Sequence, residues 1–191
     1  MIATSSKHRR VVVMFLMVTT AGIAQANMLN NSSLEQEGET WETARHWRMD
    51  VPDDHGDAWG TAMRANWRAI DGYFTGAIRG GWAGVGDYGG FWQEVRIEPG
   101  MNYKATAWFW ADAAWHAGIQ EMKLEFWNED RTEMMGDYLL RLEGIGESWT
   151  PREISIPAPA NSAWGRVVIN VSGIGNHGSL LVDKIELHAQ R

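Results

Sequence analysis

Two runs of strict alternation stand almost back to back in this chain, and each demands a strand with one buried and one outer face. In FWQEVRI, residues 91–97, Phe91, Gln93, Val95 and Ile97 share one face of an extended segment, and Trp92, Glu94 and Arg96 share the other. In YKATAWFWA, residues 103–111, Tyr103, Ala105, Ala107 and Phe109 oppose Lys104, Thr106, Trp108 and Trp110. Successive side chains of a strand point to opposite sides of its sheet, so the apolar sets belong to a core. That leaves Trp92, Trp108 and Trp110 outside, among charged and hydroxyl-bearing neighbours.

Similar short runs recur at 28–36, 73–79, 121–127, 138–142, 152–156, 166–171 and 179–188, divided by clusters of Gly, Pro, Asn and Asp. Many short strands at such spacing predict an all-β sandwich or barrel. Segments 61–70 and 112–120 each have room for a short helix, and their periodicity does not decide between helix and loop.

The first residues, MIATSSKHRRVVVMFLMVTTAGIAQA, combine a basic start, a short apolar run and the small-residue site Ala24-Gln25-Ala26. This pattern predicts a secretory signal peptide over residues 1–26 and a single domain over 27–191, secreted, periplasmic or at the cell surface. The apolar run falls short of the roughly 20 residues of a membrane span, so no membrane insertion is expected. Loss of Lys7, Arg9 and Arg10 with the leader deepens the net charge from -7 to -10, which disfavours nucleic acid as a partner. The chain has no cysteine, so burial, with or without a metal, must stabilise an exported domain that disulfides do not staple.

All 12 tryptophans lie beyond the leader, more than one small core can surround, so some belong to a surface. An indole offers a flat apolar face to the C–H side of a sugar ring, and neighbouring polar groups can satisfy its hydroxyls. Trp92, Trp108 and Trp110, with Glu94 and Arg96, therefore point to a glycan-binding surface, the alternative being indoles that seal the rim of the sandwich or lie beneath a loop such as residues 80–90. Trp127 and Glu125 join them, because Met122, Leu124 and Phe126 alternate with Lys123, Glu125 and Trp127. If Glu98-Pro99-Gly100-Met101-Asn102 is a tight hairpin, Trp92 and Trp108 form one platform. If the chain changes sheets at Pro99-Gly100, they lie on opposite outer surfaces.

Three blocks carry a family likeness: NMLNNSSLEQEG at 27–38, FWQEVRIEPGMNYKATAWFWA at 91–111 and RVVINVSGIGNHGSLLVDKIEL at 166–187. They resemble the opening, centre and last strand of carbohydrate-binding modules of families four, nine and twenty-two, within the galactose-binding-like jelly rolls. Ser32 stands where those modules usually carry glycine, and Leu34 where they carry phenylalanine. The resemblance implies a jelly-roll β-sandwich of two antiparallel sheets that binds poly- or oligosaccharide without catalysis. It also implies a structural calcium ion held by Glu35 and Asp183, with carbonyls and water completing its shell. Asp183 shares parity with Ile185 and Leu187, so it is expected to point inward.

Other signals carry less. Gly173-Ile174-Gly175-Asn176-His177-Gly178 fits a dinucleotide fingerprint, but a β-run follows it where a helix should, so it reads as a loop. The acidic segment 50–57 lacks the ligand order of an EF-hand, the histidines are dispersed, and no serine-hydrolase elbow is present. Glu94 and Glu125 both face outward, which keeps a small glycosidase or polysaccharide lyase open. A structural or protein-interaction module is the remaining alternative.

Overall fold

A computed structural model describes residues 26–49, 62–80 and 88–190. The leader up to residue 25 and the acidic segment 50–57 lie outside the described residues. The described residues form ten strands: β1 Arg48–Met49, β2 Ala62–Ala65, β3 Thr75–Arg79, β4 Tyr88–Arg96, β5 Asn102–Ala111, β6 Ala117–Trp127, β7 Met134–Arg141, β8 Thr150–Pro157, β9 Trp164–Ile174 and β10 Ser179–Gln190. They make two five-stranded antiparallel sheets, a front sheet ordered β1-β4-β9-β6-β7 and a back sheet ordered β2-β3-β10-β5-β8. This is the jelly-roll sandwich.

Between the sheets lie the inward members of each alternation. Phe91 from β4, Met122, Leu124 and Phe126 from β6, and Val167, Ile169 and Val171 from β9 meet Tyr103 and Phe109 from β5 and Leu187 from β10, all of them buried. Facing rows of large side chains fill such a gap at near-crystalline density, which leaves little tolerance for extra volume. The one polar residue in the inward set of β4, Gln93, is buried but fully engaged. Its Oε1 accepts from Asn30 N at 2.7 Å, and its Nε2 donates to Asn30 O at 2.9 Å.

The 91–111 stretch is not a hairpin. β4 belongs to the front sheet and β5 to the back, so the chain changes sheets at the Glu98–Met101 turn, where Gly100 adopts φ of +77°. The 28–36 run, expected as a strand, is an irregular segment. Its backbone is used at single points: Met28 N donates to Leu187 O at 2.8 Å, and Ile185 N donates to Ser32 O at 3.0 Å. Left-handed backbone at Asn31 and Leu34 breaks any continuous ladder there. Neither of the two segments with room for a short helix forms one among the described residues: Ala62–Ala65 pairs with β3 as a strand, and the 112–116 segment is a turn leading into β6. No helix of the described residues is long and apolar enough to cross a membrane.

Candidate functional site

Pairing across β4, β9 and β6 sets the outward side chains of the front sheet in rows. Glu94 opposes Arg166, which opposes Glu125; Arg96 opposes Trp164, which opposes Trp127; and Trp92 opposes Val168, which opposes Lys123. Arg166 sits at the centre. Its guanidinium carbon lies 4.0 Å from the ring centroid of Trp92 and 4.7 Å from that of Trp127, so two indoles from non-adjacent strands share one cation. The same guanidinium reaches Glu94 at 3.2 Å and Glu125 at 3.8 Å. Its Nε is buried without a hydrogen-bond partner among the described residues.

The β6–β7 turn completes the surface. Asn128 holds that turn by accepting from Thr132 N at 2.9 Å, which lets Arg131 reach back to Glu94 at 2.7 Å and lie 3.6 Å over Trp164. Arg96 covers the same ring at 4.2 Å and pairs with Glu129. Trp127 Nε1 donates to Glu125 at 3.0 Å, and Trp164 Nε1 donates to Glu129 O at 3.1 Å. Both indole N–H groups are thus satisfied, and the surface is a fixed lattice of half-buried rings and paired charges. Beside it, between β4 and the 38–49 segment, opens a cleft of about 900 Å³ lined by Arg45, His46, Arg48, Trp92 and Glu94.

At one end of the lattice, Glu121 is 4% exposed and pairs with Lys123 at 2.8 Å and Arg141 at 3.1 Å, while Asn170 donates to it at 3.2 Å. Burial alone would push its carboxyl up, but these partners outweigh it and hold the group below the usual carboxylate range.

Of the seven residues expected at a binding surface, the structure gathers Trp92, Glu94, Arg96, Glu125 and Trp127 on this front face. It places the other two elsewhere. Trp108 and Trp110 point outward from the back sheet, across the whole sandwich. Trp110 is only 6% exposed: it packs with Ala65, Ala77 and Leu181 in a separate apolar cluster, and Arg68 lies 4.6 Å over its ring. No single platform joins Trp92 to Trp108. Sequence reading missed Trp164, Arg166 and Arg131. The first two stand on the outward parity of Trp164-Gly165-Arg166-Val167-Val168, a pattern legible in the chain, whereas Arg131 lies in a turn where no periodicity applies.

Asp183 is buried, but not by facing the core. A bulge between Asp183 and Glu186, with Lys184 at φ of +50°, shifts the phase of β10, so Asp183 opposes outward-facing Trp108 while Ile185 and Leu187 stay in the core. The 70–74 loop covers it. Ile70 N and Asp71 N donate to Asp183 Oδ2 at 2.8 and 3.0 Å, and Lys184 N donates to Oδ1 at 2.6 Å. Burial pushes this carboxyl up to about 6 against the pull of those amides, and the neighbouring Asp71 adds to the rise. Glu35 grips the same loop from the other side, accepting from Tyr73 N and Phe74 N, each at 2.8 Å. Among the described residues no three acidic, histidine or cysteine side chains come together as a metal cluster.

The 173–178 glycine-rich segment is the turn from β9 to β10, with Asn176 and His177 lining a small cleft of about 220 Å³ beside Trp67 and Asp112.

No family model matches the chain, and no curated protein matches it. Solved structures share its fold. The enzymatically active domain of a bacteriophage CBA120 tailspike aligns with a TM-score of 0.65 and 14% identity over 86% of this chain, which spans 21% of the tailspike's length. A carbohydrate-binding module solved with β-1,4-galactotriose aligns at 0.55 and 15% identity, covering 86% of this chain and 99% of the module. A Stig cyclase from Fischerella aligns at 0.56 and 12% identity, covering 86% and 96%. Further carbohydrate-binding modules have the same β-sandwich. At such identities the likeness is one of fold.

Proposed function

We propose that the chain is an exported, non-catalytic glycan-binding module that takes a poly- or oligosaccharide on the outer face of its front sheet. The observation that carries this is the Trp92–Arg166–Trp127 stack flanked by Glu94 and Glu125. It places two fixed indoles and several hydrogen-bonding groups on one face, with a cleft opening beside Trp92. Rigid rings lose little entropy on binding, and charged neighbours that are already oriented can meet hydroxyls without rearrangement. Carbohydrate-binding modules that share the fold over nearly their whole length support the reading. The leader would deliver the module outside the cytoplasm.

The carboxylates favour binding over hydrolysis. Glu94 and Glu125 converge on one guanidinium rather than on an open gap, whereas glycoside hydrolysis needs its two carboxyl groups free to face the scissile bond.

A structural or protein-interaction module is the second reading. It is favoured by one observation: Trp92, Trp127 and Trp164 each already lie against arginine. A glycan array probed with the intact protein and with Trp92→Ala and Trp127→Ala decides between the two. Binding by the intact chain, lost in folded variants, supports the module as proposed. A blank array, or variants that bind as the intact chain does, removes the front face from consideration.

A further inference from the structure

Arg64 in β2 is buried, 4% exposed, and its guanidinium runs beneath the irregular N-terminal segment. Its Nε donates to Leu34 O at 2.7 Å, Nη2 to Glu35 O at 2.8 Å and Nη1 to Trp41 O at 3.2 Å. The guanidinium carbon lies 3.3 Å over the ring of Phe74. Three carbonyl dipoles and an aromatic face together form a receptor for a cation, and the planar fork of arginine serves all of them at once. The Arg64 amide adds a backbone tie, donating to Glu42 O at 2.6 Å.

The family resemblance implies a calcium ion on Glu35 and Asp183, and the oxygens around those residues do not fit one. Calcium takes six to eight oxygen ligands at 2.3–2.6 Å, with backbone carbonyls commonly among them. Here the carbonyls of Leu34 and Glu35 already accept from Arg64. Glu35 Oε1 and both oxygens of Asp183 already accept from backbone N–H groups, those of Tyr73, Phe74, Ile70, Asp71 and Lys184. Inward-pointing N–H groups satisfy carboxylate charge and oppose an approaching cation.

We propose that Arg64 is the resident cation of this fold, doing the fastening work that the resemblance assigns to calcium. The 34–44 segment is tied to β2 through the guanidinium. The 70–74 loop is tied to β10 through Asp183 and to the N-terminal segment through Glu35. The three ties form one network in which every positive charge is covalently part of the chain, so the module keeps its fold where free calcium is scarce or chelated.

Thermal melting of the full mature chain tests this, with EDTA, with millimolar calcium and with neither, alongside titration calorimetry with calcium alone. The expected result is one melting temperature in all three conditions, no heat of calcium binding, and a fall of about 5 °C or more for Arg64→Lys, whose ammonium cannot reach three carbonyls together. A variant that does not fold counts as the same result at its extreme, and the chelator comparison on the unaltered chain stands independently of it. Two outcomes overturn the proposal: melting that falls with EDTA or rises with calcium, or Arg64→Lys melting with the unaltered chain. Glycan binding enters neither arm, so the result is separate from the fate of the front face.

Discussion

Trp92 and Trp108 point outward from consecutive long strands, yet they stand on opposite sides of the sandwich, because β4 pairs with β9 and β5 pairs with β10. Alanine substitution should therefore affect different properties on the two faces. Trp92→Ala and Trp127→Ala are expected to weaken glycan binding by about tenfold or more, with a stability loss near 1 kcal/mol from the broken contacts with Arg166. Trp110→Ala, emptying a site only 6% exposed, is expected to cost roughly 3–5 kcal/mol and leave the front face intact. Denaturant unfolding and glycan titration on the same variants check both halves.

Arg166→Ala removes the centre of the lattice. It leaves Glu94 and Glu125, whose side chains are 21% and 14% exposed, facing each other without their shared partner. A loss of about 1–3 kcal/mol follows, between that of a surface pair and that of a fully buried one. Arg166→Lys should recover less than half of it, since an ammonium cannot serve two indoles and two carboxylates. Urea midpoints at fixed salt measure the effect.

Gly76 in β3 has no side chain because the ring of Phe91 occupies the space. A methyl group there would meet Phe91 Cζ at 2.7 Å. Gly76→Ala is expected to destabilise by about 1–3 kcal/mol through overpacking between the sheets. Gly76→Ala combined with Phe91→Leu should cost less than the sum of the two changes, because the smaller side chain makes room.

Stability should depend on pH with opposite signs at two buried acids. Asp183 titrates at about 6 in the folded chain and near 3.8 when unfolded. The folded state therefore holds the proton longer, and this contribution is complete below the unfolded value and is lost as pH rises through the folded one. Its size is on the order of 3 kcal/mol. Glu121 is held low by Lys123, Asn170 and Arg141 despite its burial, so its contribution is present above 4.5 and lost on further acidification. Unfolding free energies between pH 4 and pH 7 should fall as pH rises in the unaltered chain and flatten in Asp183→Asn. An unchanged slope in that variant would assign the dependence to another group.

The inward and outward sets of 91–97 and 103–109 were legible in the sequence, because period-two alternation is a local property. The same holds for 121–127, where Met122, Leu124 and Phe126 are buried. Which sheet each strand joins was not legible, since Glu94 meets Arg166 through pairing between segments about 70 residues apart. Asp183 shows a second limit. Its burial was anticipated from parity, but the bulge at Lys184 reverses that parity, and its cover comes from a loop more than 100 residues away. The N-terminal segment shows a third: its apolar residues suggested a strand, while left-handed backbone at Asn31 and Leu34 wraps it over the core instead.

The order of the strands sets when this molecule can fold. β9 lies at the centre of the front sheet and β10 at the centre of the back, each flanked on both sides by strands that precede it in the chain. Among the described residues only β2–β3 and β6–β7 are hairpins of sequence neighbours, so a growing chain that has made everything up to β8 holds fragments of two sheets and the middle of neither. Non-local pairing of this kind slows folding, because loop closure must precede the contacts that reward it. Until β9 and β10 are both made, neither sheet has the strand that joins its two halves, so the inward faces described above have no complete partner to pack against.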